Sequence, residues 1–161
     1  MEITIRRMNE GDDIEQITDW FESIGNEWLL EYESTPRGRE ESREKLLEWM
    51  RGEEGRSCVL VAEDREPGAA PGTVIGFAIC LLQTDPNTGR KYGRINGIYV
   101  DPACRGREVG RRLKEAADDW CRDAGAAFMK AYIGIGNKAM LRVCKLLGYE
   151  PWMVTWVRRF E

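Results

Sequence analysis

Between Ile95 and Leu113 the chain admits few conformations. A largely apolar run over residues 95–100 breaks at Pro102, and a turn rich in glycine and arginine then opens an amphipathic helix. This strand–turn–helix unit builds an anion site. The first backbone N–H groups of a helix have no internal partner, and the aligned peptide dipoles favour negative charge there. Arginines at 105, 107, 111 and 112 add positive charge at the same point. A pyrophosphate suits such a turn.

The flanking pattern predicts the remaining elements. Ile3 and Ile5 alternate with polar residues as a first strand. Asp12 or Asp13 caps a helix carrying Ile14, Ile17, Phe21 and Ile24, with Gly25 as its stop. A second helix is expected over 39–51, with Leu46, Leu47 and Met50 inward and Gly52 beyond its end. Strands follow over 58–62, 74–82 and 92–101, with a turn at 85–89. A helix over 109–123 stops at Gly125, a strand covers 127–135 and a helix covers 137–147. A closing strand over 152–160 places Trp152, Val154, Trp156 and Phe160 on one face, as core, acceptor-pocket wall or dimer surface. The order β-α-α-β-β-β-α-β-α-β reads as a mixed α/β (α+β) fold, with helices flanking a mostly antiparallel sheet that has one parallel crossover. At 161 residues, one domain over 1–161 is expected.

Arg105 and Gly110 occupy the ends of an Arg-x-x-Gly-x-Gly pattern after a strand that ends near Val-x-Pro. A second segment, Asn137 leading a helix that closes on Gly148-Tyr149, follows in order. Together the two segments resemble the signature of the GNAT superfamily of N-acetyltransferases, over nearly the whole chain. That resemblance implies acetyl-CoA as cosubstrate, with no metal, and an amine acceptor. The acyl-donor arm would insert as an extra strand between residues 96–100 and 132–135. Backbone N–H groups near Ile98, Tyr99 and Val100 would polarise the thioester carbonyl. The turn through Arg105, Gly106, Arg107, Glu108, Val109, Gly110 and Arg111 would bind the pyrophosphate. Asn137 would contact the pantetheine arm or an ordered water while capping its helix.

Glu108 departs from the pattern, standing at the middle glycine. It brings a Cβ and a negative charge to a site for phosphate, although acidic residues also favour a helix start. Cys144 stands where many family members carry a tyrosine that protonates the departing thiolate. A buried helical cysteine is otherwise a small core residue. Tyr99, Tyr132 and Tyr149 are the alternative donors. The chain has no histidine, the usual base near neutral pH. Glu27, Glu31 and Glu33, interleaved with Trp28 and Tyr32, instead offer carboxylates and cation–π faces to a cationic amine, or form a solvated acidic loop. Asn96 could position a proton-relay water.

The implied activity is acetyl transfer to a primary amine by direct attack, with a small cationic acceptor preferred over a peptide or protein amine. A non-catalytic acyl-CoA-binding or regulatory module is the alternative. A net charge of −4 without a long basic stripe argues against nucleic acid as a partner. The apolar run over 75–82 is too short to cross a bilayer, so no membrane partner is expected. Five cysteines without a C-x-x-C pair read as reduced thiols, and a cytoplasmic location is expected. A homodimer through the last strand is compatible with the pattern.

Overall fold

A computed structural model describes residues 2–28, 38–66, 68, 70, 72–158 and 160. The elements run β1 (Ile3–Arg7), α1 (Ile14–Trp28), α2 (Arg39–Arg51), β2 (Ser57–Asp64), β3 (Val74–Thr84), β4 (Lys91–Val100), α3 (Val109–Asp123), β5 (Phe128–Lys130) and α4 (Lys138–Leu146). Their order is that of the expected mixed α/β fold without the closing strand. The sheet follows chain order, β1-β2-β3-β4-β5, antiparallel except for β4 and β5, which run parallel. The helix α3 makes that crossover.

Both faces of the sheet are covered, which is why β2 and β3 are apolar almost without alternation. On one face Cys58, Leu60, Ala78 and Cys80 meet Val109, Leu113, Ala117 and Cys121 of α3. On the other, Val59, Val61, Phe77 and Ile79 meet Ile17 of α1 and Leu46 and Trp49 of α2. Each large side chain buried in these layers contributes about 1.5–3 kcal/mol. Among the described residues no helix is long and apolar enough to cross a membrane.

Local chemistry sets most boundaries. Asp13 caps α1, its carboxylate accepting the Gln16 N–H at 3.0 Å. Gly52 ends α2 at φ 64°, its N–H returning to the Glu48 carbonyl. Four expectations need correction. The first helix runs through Gly25 to Trp28, because glycine stops a helix only when it turns left-handed. In α2 the buried hydrophobic side chains are Leu46 and Trp49, with Met50 packed against them as expected, while Leu47 is half-buried and Trp49 takes its place in the layer. The strand expected over 127–135 is paired only at Phe128–Lys130, so residues 132–135 are not a strand. No strand forms over the described part of 152–160. Trp152 is 89% exposed and Trp156 is 90% exposed, which overturns the core reading of that face. Pro151 removes a ladder donor before this segment, and β5 offers an edge of only three residues.

Candidate active site

The site begins where two strands part. β4 and β5 pair at Tyr92, Gly93 and Arg94, opposite Phe128, Met129 and Lys130, and no further. Over residues 95–100, β3 is the only strand paired with β4 among the described residues, so its other edge is open to a further strand. An irregularity sits at the same place. Gly97 opposes Ile79 and Ile95 opposes Cys80, which leaves Asn96 as the extra, bulged residue. The bulge resets which face each side chain takes. Ile95, Ile98 and Val100 pack against the α3 layer, whereas Tyr99 packs against the α1 layer.

From Val100 the chain turns sharply into α3. Asp101 caps a short turn at Pro102–Cys104 by accepting the Ala103 N–H at 2.8 Å. Arg105 folds back on the strand. Its Nε donates to the Val100 carbonyl at 3.0 Å, and its guanidinium lies 5.3 Å from the Tyr99 ring centre. Tyr99 in turn stacks on Trp20 at 5.4 Å. Arg105 thereby braces the turn as well as charging it.

Gly106 and Glu108 both take left-handed backbone, at φ 78° and 65°. For Glu108 this is costly, about 1–2 kcal/mol relative to the right-handed region. The observation explains the sequence pattern: the position asks for glycine because of backbone geometry, independently of any ligand. The Arg112 N–H is bonded back to the Glu108 carbonyl at 3.0 Å. The N–H groups of Val109, Gly110 and Arg111 precede the first intrahelical bond and face outward along the α3 axis. Val109 is buried, so only its backbone is available there.

The Glu108 carboxylate reaches Arg111, accepting from Nη2 at 2.9 Å. Arg111 Nη1 donates to Glu115 at 3.0 Å, and its Nε is buried without an acceptor among the described residues. The guanidinium expected to meet phosphate is therefore shared between two carboxylates. Its proton is held more tightly, first through the Glu108 hydrogen bond.

Asn137 caps α4, its side-chain oxygen accepting the Met140 N–H at 3.1 Å. Cys144 lies on the buried side of α4, where burial pushes its thiol above the ordinary value. Beside it is a network that sequence reasoning missed. Lys114, 2% exposed, donates to Asp118 at 2.7 Å and also bonds the Tyr149 hydroxyl, which itself donates to Asp118 at 2.7 Å. Burial first, then the Asp118 bond, raises the Tyr149 phenol. Tyr149 is thus committed to the joint between α3 and α4. The available signal was a lysine next to the buried stripe at Val109, Leu113, Ala117 and Cys121, with an aspartate four residues on.

Glu31, Glu33 and Tyr32 lie outside the described residues, as do the side chains of Glu27 and Trp28. An open cavity of ≈ 540 Å³ lined by Arg7, Leu82, Thr84, Lys91 and Trp120 lies at the opposite end of β3, β4 and α3, away from the turn.

Comparison with known proteins agrees with this architecture. A family model described as acetyltransferase (GNAT) matches residues 21–149. An uncharacterised N-acetyltransferase of Methanocaldococcus jannaschii is 31% identical over 90 residues, 54% of this chain and 40% of that protein. An aminoglycoside N(6')-acetyltransferase type 1 of Stenotrophomonas maltophilia is 42% identical over 60 residues, 35% of this chain and 39% of that protein. The match thus spans less than half the length of these relatives. The solved structure of the aminoglycoside N-acetyltransferase AAC(6')-Iy in complex with CoA superposes with a TM-score of 0.72 at 21% identity, over 98% of this chain and 95% of that one. The parted strands, the left-handed turn into α3 and the family match over most of the sequence converge: the chain belongs to the acetyltransferase (GNAT) family.

Proposed function

We propose that the protein is an acetyl-CoA-dependent N-acetyltransferase, carried by one domain over residues 1–161, that acetylates a primary amine by direct attack. The observation that carries this reading is the end of β4–β5 pairing at Arg94 beside the Asn96 bulge, with the freed edge of β4 running straight into the α3 turn. An extended pantetheine arm fits such an edge as a surrogate strand, and its pyrophosphate fits the helix start. The family membership supports acetyl-CoA as the donor.

In this reading the neutral amine nitrogen attacks the thioester carbonyl carbon. A C–N bond forms, the C–S bond breaks, and the thiolate leaves with the electron pair. The amine gives up a proton and the thiolate gains one, yielding an acetamide and CoA. Backbone N–H groups near Ile98 and Val100 stabilise the oxyanion, and Asn96 orders the water that takes the amine proton. Asn137 steadies the pantetheine arm. Tyr99, on the open segment of β4, is favoured over Cys144 as proton donor, because Cys144 packs into the α3–α4 joint. The acidic residues Glu27 and Glu31 remain the acceptor-side carboxylates of this proposal.

The test is thermal unfolding with and without saturating acetyl-CoA, followed by thioester cleavage over a panel of amines. At about 100 times the dissociation constant, binding adds about 2.7 kcal/mol, or roughly 5–10 °C for a domain of this size. A shift in that range with amine-dependent CoA release supports the enzyme. A shift without any amine-dependent cleavage identifies a binding module, and no shift removes the donor site.

A further inference from the structure

The face of the sheet edge just below the parting strands is built from alternating cations and aromatic rings. Tyr92 and Arg94 share one face of β4, and Phe128 and Lys130 occupy the same face of β5 opposite them. Tyr92 stacks on Phe128 at 5.6 Å. The Lys130 ammonium lies 4.3 Å from the Tyr92 ring centre, and the Arg90 guanidinium lies 5.6 Å from that of Phe128. Arg94 stands over Tyr132 at 4.7 Å. Three cations therefore sit on one patch, and the nearest carboxylate described is Asp85, 3.9 Å from Lys130.

Arg94 is the informative member. Among the described residues it has no carboxylate partner, and its Nε is buried without an acceptor. Arg6, also partly buried, differs: it is paired with both Asp12 and Glu63. The ring of Tyr132 flanks the Arg94 guanidinium, and a guanidinium without a carboxylate partner is suited to a carboxylate or phosphate. Its position adds the second half of the argument. Arg94 is the last residue of β4 paired with β5, two residues before the Asn96 bulge. At about 3.3 Å per residue, the backbone that would hold the thioester, at Asn96 to Ile98, lies roughly 7–13 Å from it. The turn at α3 that takes the pyrophosphate lies at the far end of the same strand, so the donor's phosphates do not account for this patch.

We propose that Arg94, supported by Lys130 and Arg90, forms an anion subsite for the acceptor, which is then a primary amine carrying a carboxylate or phosphate several bonds from its nitrogen. This deepens the acetyltransferase reading and rests on it for the word acceptor. The positive patch selects the anion and directs the amine toward the thioester held along the β4 edge at Asn96 to Ile98.

Two matched pairs test it: 6-aminohexanoate against 6-aminohexanamide, and 5-aminopentyl phosphate against 5-aminopentanol. Binding is measured by calorimetry and acetylation by CoA release, for the wild type, Arg94→Gln, Arg94→Lys and Lys130→Gln. The anionic member of at least one pair is expected to bind and react at least tenfold better, and which pair responds identifies carboxylate or phosphate. Arg94→Gln should abolish the preference through KM with kcat little changed, Arg94→Lys should restore part of it, and Lys130→Gln should reduce it. Equal binding of both members in both pairs overturns the subsite, as does a preference that survives Arg94→Gln with unchanged unfolding temperature. If the anionic ligand binds through Arg94 but no amine is acetylated, the subsite stands and the enzyme reading falls.

Discussion

Replacing Glu108 separates two contributions that the fold places on one residue. Its backbone is left-handed at φ 65°, and its carboxylate stands at the entrance to α3 where the pyrophosphate is proposed to bind. Glu108→Gly removes both; Glu108→Gln removes only the charge. For stability, relief of left-handed strain gains about 1–2 kcal/mol. The extra freedom of glycine in the unfolded chain takes back about 0.5–1 kcal/mol. An exposed ion pair to Arg111 is also lost, a small and salt-screened contribution. The glycine variant should therefore unfold within a few degrees of the wild type, and no lower than the glutamine variant.

For binding, the two variants should agree with each other and differ from the wild type. The side chain of Glu108 is 64% exposed, so a water-like dielectric applies. At about 5–7 Å, each phosphate charge then meets a repulsion of about 0.6–0.8 kcal/mol. Two phosphate charges give roughly tenfold tighter acetyl-CoA binding once the carboxylate is gone, and freeing Arg111 from Glu108 acts in the same direction. Because the Debye length is about 8 Å at 0.15 M and about 3 Å at 1 M, the gain should shrink with added salt. Calorimetric titration at low and high ionic strength reads this directly. If Glu108→Gln binds within twofold of the wild type at low salt, the repulsion argument is wrong and the residue matters only for the turn.

Gly93 faces α3 in a space already filled: a Cβ there would approach Cys121 Cβ at 2.6 Å and its Sγ at 2.8 Å. Gly93→Ala should cost about 1–3 kcal/mol by overpacking, seen as a lower unfolding temperature in calorimetry; an unchanged transition would mean that α3 yields freely at Cys121. Arg6 bonds Asp12 at 2.7 Å and Glu63 at 2.6 Å. Burial raises the Asp12 carboxyl, but the Arg6 and Asn9 bonds outweigh it, and the Arg6 bond lowers Glu63, so both lie below 3.8 and 4.5 respectively. A carboxylate lowered by folding stabilises above its unfolded pKa and loses that contribution as pH falls through the folded value. Arg6→Gln should thus be less stable than the wild type at pH 7 in urea titrations, with the gap closing in acid; a gap that persists at pH 2 would contradict the assignment. Cys144→Ala should keep its turnover from pH 6 to 9 while Tyr99→Phe lowers kcat, and a pH-dependent loss in Cys144→Ala would return the donor role to the thiol.

The helices α2 and α3 were legible to the residue, because Gly52 and the Pro102–Glu108 turn punctuate them and their apolar stripes face one layer. The closing segment was not. Trp152, Val154 and Trp156 alternate as a strand should, but alternation reports only which residues want a buried face, and the partner edge at Phe128–Lys130 is too short to supply one. The Lys114–Asp118–Tyr149 joint was invisible for a related reason: Tyr149 is distant in sequence from the α3 pair, and only packing brings them together.

The interior of the candidate site lies between these cases. Its residues stand where a local period fails. Ile95, Ile98 and Val100 are spaced by three and then two, which breaks the strand alternation at Asn96, and the structure turns that break into a bulge beside the last β4–β5 pair. Glu108 likewise occupies a place that its neighbours mark for glycine. Had β5 continued beyond Lys130 alongside β4, it would have closed the edge proposed for the donor, and a helix continued back through the turn would have hidden the first N–H groups of α3. The irregularities read as defects in a secondary-structure pattern are therefore the features that keep backbone donors available to a ligand. On that basis the sequence positions most informative about function are 94–97 and 106–111, where the regular elements stop.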